Sequence, residues 1–167
     1  MKKLLFLFLV LSSPIFPDAT CDKIKDYIFE NLTETGVLKQ DSEGFVYVDL
    51  DDGYINKLLE FIKGEGYVRP PYFAPPNGHG AHITVIYADE AQELDEIDEL
   101  GKTIAFKIKA CKVIQPPQHP ELDGIYVITV DAPVLKGIRR KLGLRPPKYD
   151  FHITIGWKYR EEEKKAA

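Results

Sequence analysis

Cysteine, methionine and tryptophan are scarce in this sequence of 167 residues, which has two cysteines, one methionine and one tryptophan. Because Cys21 and Cys111 are the only cysteines, the chain can form at most one disulfide bond, and a framework of several disulfides is excluded. Cys111 lies inside an apolar strand pattern, where a buried free thiol is common. We therefore favour a buried thiol over a Cys21–Cys111 disulfide, and both alternatives stay open at this point.

A large excess of either charge is also missing, since 22 basic and 26 acidic residues leave a formal net charge of −4. Such a chain is not expected to bind long duplex nucleic acid through broad, salt-dependent contacts. A small anionic ligand in a locally basic pocket is compatible with this balance.

Hydrophobic runs are short, and the longest one, Leu4 to Leu11, cannot span a bilayer as a permanent anchor. Lys2 and Lys3 precede this run and small residues follow it, which is the layout of a secretory signal peptide. We predict a signal peptide at residues 1–19, one domain at 20–160 and a charged tail at 161–167. We therefore expect the chain to be exported, as a secreted or periplasmic protein, with no stable membrane anchor after cleavage. We also expect it to be a monomer. The alternative is that the apolar run forms an amino-terminal strand of the fold.

Two stretches of the chain carry the same motif: they read Ala-His-Ile-Thr-Val-Ile-Tyr and Phe-His-Ile-Thr-Ile-Gly-Trp. Each sets His-Ile-Thr inside β-branched and aromatic residues, which predicts a short strand. Because strand side chains alternate between faces, His82 shares a face with Thr84, and His152 shares a face with Thr154. Two such strands side by side would bring two imidazoles and two hydroxyls into one cleft, which suits phosphate chemistry.

The rest of the chain alternates helical and strand patterns around these motifs. We predict helices at Asp22–Thr33, Ile55–Ile62, Glu90–Leu100 and Pro133–Leu142, with Gly36 ending the first, and strands at Gly44–Leu50, Lys102–Ile114 and Gly124–Val130. The order strand, helix, Arg-Pro-Pro loop, His-Ile-Thr strand occurs twice. This duplication predicts a bilobal α+β fold, in which two pseudo-twofold-related antiparallel sheet halves surround a central groove and the helices lie outside.

Paired His-x-Thr motifs on strands, one in each half of a small α+β domain, resemble the 2H phosphoesterase superfamily. That superfamily includes RNA cyclic phosphodiesterases and the proteins called 2′-5′ RNA ligases. The resemblance spans residues 45–157, and the approach to the first motif, rich in tyrosine and proline, is similar to the branch named Swiss Army Knife. It implies that the histidines and threonines of both motifs are the catalytic and phosphate-binding set, with no metal or cofactor.

The chemistry of a 2′,3′-cyclic phosphate explains why two histidines would be needed. Its hydrolysis deprotonates water on one side of phosphorus and protonates the leaving ribose oxygen on the other. Two imidazoles of near-neutral pKa can act as base and acid at once, while hydroxyls and cations bind the non-bridging oxygens. We therefore predict a metal-independent phosphodiesterase that hydrolyses cyclic nucleotides or the ends of short RNA.

Residues near the two motifs are candidates for substrate contact. Aromatic side chains stack on unpaired bases, and cations bind phosphate. The predicted substrate-binding residues are Tyr72, Phe73, Arg69, Lys148 and Tyr149, with Arg145 as a further cation. Trp157 falls on the apolar face by alternation and is expected in the core. His79, three residues before His82, could line the groove, but we expect a solvent-exposed position in the loop. His119 lies in a proline-containing turn and is expected to be uninvolved.

Two alternatives differ from this enzyme in class. The first is a catalytically idle module of the same fold that binds a nucleotide or an RNA end. The second is a zinc site formed by His79, His82 and His152, which is disfavoured because no carboxylate ligand accompanies them.

Overall fold

A computed structural model describes residues 19–73, 78–92, 94 and 96–161. The predicted signal peptide, apart from Ala19, and the tail beyond residue 161 lie outside the described residues. Within the described part, no helix has both the length and the apolar character needed to cross a membrane.

The described chain forms seven strands and five helices, which confirms the predicted α+β class. The helices are α1 Ala19–Asn31, α2 Gly53–Asn56, α3 Leu59–Ile62, α4 Ala88–Ala91 and α5 Pro133–Lys141. The strands are β1 Thr35–Gln40, β2 Val46–Asp49, β3 His82–Ile86, β4 Thr103–Ala105, β5 Lys107–Ile114, β6 Leu122–Asp131 and β7 His152–Tyr159. Two 3₁₀ turns, Lys63–Glu65 and Pro71–Phe73, complete the elements. All strands belong to one antiparallel sheet of order β4-β1-β2-β3-β7-β6-β5.

The order of this sheet confirms the predicted duplication. One half runs β1, β2, two short helices and β3, while the other runs β5, β6, one helix and β7. The sheet order is symmetric about the junction of β3 with β7, where Ile83 pairs with Ile153. Each half therefore contributes its histidine strand to the centre of the sheet, and β4 is an extra strand on one edge.

The segment Lys102–Ile114, predicted as one strand, is two strands at opposite edges of the sheet. The chain bends at Phe106, which is buried and donates its N–H to the Glu34 carbonyl over 3.0 Å. Since each residue spans at most about 3.6 Å, the two edges must come close together at this bend. The sheet is therefore curled into a half-barrel.

Two other elements differ from the sequence prediction. Gly36 does not merely end a helix; it lies within β1, a strand that the prediction missed, and a Cβ there would overlap the Asp49 carbonyl. The predicted helix Glu90–Leu100 overlaps α4 only at residues 90 and 91, and residues 98–101 form a turn. In this segment Asp98 and Glu99 both bind Lys141, at 2.7 and 2.8 Å.

The main core lies between one face of the sheet and the helices. It includes the isoleucines that follow both histidines, Ile83 and Ile153, together with Ile28 of α1 and Leu135 of α5. The opposite face of the two central strands is left for polar groups. This separation of an apolar face from a polar face is what the alternation in the two motifs predicts.

A disulfide joins Cys21 of α1 to Cys111 of β5, so the preference for a free thiol is wrong. Cys111 is only partly buried, on the part of β5 that α1 packs against. The two cysteines are 90 residues apart. Closing a loop of this length stabilises the fold by roughly 4–5 kcal/mol in the chain-entropy model.

Candidate active site

Both histidines lie at the first residue of a central strand, and both project from the polar face of the sheet. Ile83 pairs with Ile153 in antiparallel register. Extending this register by one residue in each direction sets His82 opposite Thr154, and Thr84 opposite His152. The four motif residues that the sequence predicted are thus brought together as two cross-strand pairs.

The two imidazoles are held in the same way. Nδ1 of His82 lies 2.9 Å from the Gly80 carbonyl oxygen, and Nδ1 of His152 lies 2.7 Å from the Asp150 carbonyl oxygen. A carbonyl only accepts hydrogen bonds, so each Nδ1 carries the proton and donates it. Each neutral ring therefore keeps its lone pair on Nε2, the nitrogen left for chemistry.

The carbonyl that His82 contacts belongs to a residue with an unusual backbone. Gly80 has φ of +63°, a left-handed conformation that favours glycine. A Cβ at this position would also come within 2.5 Å of the Asp52 carboxylate, which accepts the Ala81 N–H at 3.0 Å. Any other residue at position 80 would disturb the carbonyl that orients His82.

Aromatic rings surround His82. Ring centroids lie 5.3 Å away for Tyr72 and 5.8 Å away for both Phe45 and Tyr47, and the His79 ring is at 5.9 Å. Burial lowers the pKa of His82, and the positive charge that His79 would carry when protonated lowers it further. His82 is therefore a neutral imidazole at pH 7, in the form that accepts a proton.

Tyr72 lies in the loop before the first motif and contacts the second motif. Its hydroxyl is hydrogen-bonded to Thr154, and burial raises its pKa to about 12. The hydroxyl therefore stays protonated at physiological pH. Tyr72 therefore contacts one residue of each motif, His82 and Thr154.

Two adjacent cavities open over the histidines, each with a volume of about 400 Å³. The first is lined by His82 with Tyr72, Phe45 and His79. The second is lined by His152 with Thr84, Lys148, Tyr149 and Gln118. Tyr87 and Asp89 line both cavities, and we call the pair together the groove.

A β-bulge occurs at the same position in each motif strand. Val85 is the extra residue on β3, where the pairing shifts between Val46 and Tyr47, and Ile155 is the extra residue on β7. Each lies three residues after its histidine. The side-chain alternation shifts after each bulge, so Tyr87 and its counterpart Trp157 turn toward the groove side of the sheet.

The expectation that Trp157 lies in the main core is wrong, because the bulge turns its side chain to the other face of the sheet. Trp157 is only partly buried and packs in a small separate cluster with Leu122, Ile125 and Val127. Its ring lies 6.1 Å from that of Tyr72. Gly156 takes its place on the helix side, where a Cβ would meet Ile62 at 2.8 Å.

The remaining predicted substrate contacts divide into two groups. Lys148 and Tyr149 line the groove, with the lysine Nζ 5.2 Å from the tyrosine ring centroid. Arg69 and Phe73 line neither cavity. Phe73 is 8% exposed and belongs to the core, while Arg69 stacks over its ring at 4.8 Å and donates to Asn56.

The two loop histidines have different positions. His79 was expected to face solvent, but it lies in the groove with Nε2 2.7 Å from the Asp41 carboxylate. His119 lies in a turn 2.9 Å from Glu121 and outside both cavities. Across the part of the chain that the structure covers, no cluster of three or more His, Cys, Asp or Glu could hold a metal ion.

Arg139 was missed by the sequence reasoning. It is 3% exposed on α5, and its guanidinium donates to both oxygens of Glu90 at 2.6 and 3.0 Å. It also donates to the Val85 carbonyl at 2.7 Å and to the Arg145 carbonyl at 2.7 and 3.1 Å. Arg139 therefore ties the bulge of one motif strand to the loop that precedes the other. The only sequence signal was an arginine on the apolar side of a helix.

The family comparison agrees with this geometry. Residues 46–162 match the family model described as Swiss Army Knife, 2H phosphoesterase domain. Neither the curated proteins nor the solved structures yielded a match. The matched segment covers more than two thirds of the chain and contains both motifs, Arg139 and most residues that line the groove.

Proposed function

The chain belongs to the Swiss Army Knife branch of the 2H phosphoesterase superfamily, and from this premise we propose that it hydrolyses cyclic phosphodiesters without a metal. The class of substrate is a 2′,3′-cyclic phosphate on a nucleotide or on an RNA end. The observation that carries the proposal is the paired arrangement of the histidines. Both rings donate Nδ1–H to a backbone carbonyl, which leaves both Nε2 atoms for proton transfer at one cleft.

His82 is the general base in this proposal because burial lowers its pKa and keeps it neutral. Its Nε2 takes a proton from water as the water oxygen bonds to phosphorus. His152, protonated, gives the Nε2 proton to the ribose oxygen as the bond from that oxygen to phosphorus breaks. The product is a phosphate monoester with a free neighbouring hydroxyl, and proton exchange with solvent restores both rings.

The hydroxyls and cations of the groove would bind the phosphate. Thr84 and Thr154 lie opposite the two histidines, where they can donate to the non-bridging oxygens as charge builds up there. Lys148 lines the same cavity as His152 and adds a positive charge. The aromatic rings around His82 suit a nucleobase, because every nucleobase can stack on an aromatic side chain.

Turnover of 2′,3′-cyclic nucleotides by the purified chain in excess EDTA tests this function. We expect a phosphate monoester to form at an unchanged rate with and without the chelator. Loss of activity in EDTA that returns with zinc would contradict the metal-independent mechanism. Binding of the nucleotide without turnover would instead support the idle module.

The pH dependence of kcat/KM is expected to be bell-shaped, since one imidazole must be neutral and the other protonated. Activity falls at low pH when His82 becomes protonated. Because burial lowers the pKa of His82, the acidic limb should lie below the ordinary histidine value of 6.5. A profile with one sloping limb, or an acidic limb above pH 6.5, would contradict this assignment.

We also propose that the chain works outside the reducing cytosol. The Cys21–Cys111 disulfide supports this, because such bonds persist in oxidising compartments. Alkylation and mass analysis of protein from its natural host should find no free thiol and a new amino terminus near residue 20. Two free thiols on a chain that keeps its first residues would contradict export.

A further inference from the structure

A third cavity lies behind the loop that leads into the second motif. Its volume is about 350 Å³, and it is bounded by β5, α5 and the loop of residues 144–151. Five basic side chains line it, and we call it the basic pocket: Lys109, Lys136, Arg139, Arg140 and Arg145. A chain whose formal net charge is −4 thus concentrates positive charge at this place.

Ion pairs neutralise only part of this charge. Arg139 is bonded to Glu90, and Lys136 lies 3.6 Å from Asp131. The single acidic side chain lining the cavity, Asp150, lies 3.3 Å from Lys112. Among the residues the structure describes, no acidic group forms an ion pair with the other three cations, which are Lys109, Arg140 and Arg145.

The rest of the basic pocket is apolar. Its walls are formed by Val130, Leu144, Pro146, Pro147, Tyr149 and Phe151. Flat proline and tyrosine surfaces beside unpaired cations suit a phosphate that carries an organic group, such as a nucleotide. A hydrated inorganic anion would use the cations and leave these walls without a partner.

The basic pocket and the groove are separated by one loop. Pro147, Tyr149, Asp150 and Phe151 line both, and the Asp150 carbonyl is the group that orients His152. A nucleotide chain whose terminal phosphate lies at His152 would therefore cross this loop. Its next phosphate would then lie at the cations of the basic pocket.

We propose that the basic pocket binds a second phosphate of the substrate, so that the substrate is a short single-stranded RNA ending in a cyclic phosphate. This inference rests on the proposed function and narrows its substrate class. The terminal cyclic phosphate lies between the histidines, while the phosphodiester to the preceding nucleotide contacts Lys109, Arg140 and Arg145. A lone cyclic nucleotide lacks that second phosphate and leaves the pocket unused.

The test compares kcat/KM for two substrates, adenosine 2′,3′-cyclic phosphate and the dinucleotide ApA with the same cyclic end. We expect the unmodified chain to favour the dinucleotide by about tenfold or more, since one charge-assisted contact pair is worth roughly that factor. Lys109→Gln and Arg140→Gln should each lower activity on the dinucleotide about 3–10-fold, mainly through KM. Activity on the mononucleotide should stay the same. Lys57→Gln removes an exposed cation elsewhere and is the matched control.

Each contrary outcome has a distinct meaning. Equal losses on both substrates, or no loss on either, would overturn the second phosphate site. Inhibition or activation of mononucleotide turnover by inorganic phosphate that the same variants abolish would identify a regulatory anion site and would also overturn it. If neither substrate is turned over, the proposed function fails, and calorimetry with ApA 3′-phosphate decides the pocket. Weaker binding by the two variants supports the second phosphate site, and unchanged binding overturns it.

Discussion

His82→Ala and His152→Ala should each lower kcat/KM for a 2′,3′-cyclic nucleotide by about 10²–10⁴-fold, the usual contribution of a positioned acid or base. In the proposed mechanism each ring supplies one of the two proton transfers, so alanine at either position removes one of them. His82→Ala should remove the acidic limb of the pH profile, because that limb reports protonation of His82. Steady-state kinetics from pH 4 to 9 would measure both effects.

His119→Ala is the matched control, because His119 lies outside the groove and pairs with Glu121. Its activity should stay within about twofold of the unmodified chain. All variants should keep the same circular dichroism and the Cys21–Cys111 disulfide, so that lost activity is not lost folding. If one histidine variant retains full activity, the two-histidine mechanism is wrong.

Arg139→Met should lower the free energy of unfolding by about 2–4 kcal/mol, because it leaves a half-buried carboxylate and two carbonyls without their donor. Methionine fills much of the same volume but donates no hydrogen bond. The Glu90 carboxylate and the carbonyls of Val85 and Arg145 would each lose a donor. Urea denaturation with an unchanged slope would measure the loss as a lower midpoint.

The control for this variant is Arg140→Met, which changes the adjacent but exposed arginine and should alter stability by less than about 0.5 kcal/mol. The pH dependence gives a second check. Hydrogen bonds from Arg139 lower the pKa of Glu90 below its ordinary value of 4.5, so this pair stabilises the fold above that value. The contribution disappears as the pH falls through the lowered pKa of Glu90. Arg139→Met should lose this part of the dependence of stability on acid pH. If Arg139→Met is as stable as Arg140→Met, the stabilising role of Arg139 is wrong.

The two His-x-Thr strands could be predicted because their signal is local. Alternation within five residues fixes which side chains share a face, and His82, Thr84, His152 and Thr154 all lie where it places them. The duplicated order of elements also predicted that the two strands belong to equivalent halves. Both inferences need only neighbouring residues and a repeat.

What the sequence could not reveal depends on contacts between distant segments. The bulges at Val85 and Ile155 are visible only in the pairing with β2 and β6, and they decide that Trp157 leaves the core. The Cys21–Cys111 bond requires α1 to pack on β5, a contact across 90 residues of sequence. Phe73 was predicted to contact the substrate because it is an aromatic residue in the loop before the first motif. It belongs instead to the core.

The near-symmetry of the two halves has a consequence for the direction of the proposed reaction. Two histidines in identical surroundings would titrate alike, and such a pair would serve poorly as base and acid. The surroundings differ here, because aromatic rings lie around His82 while a basic, proline-containing loop lies beside His152. Under the proposed function, this difference sets the direction in which a substrate lies across the sheet.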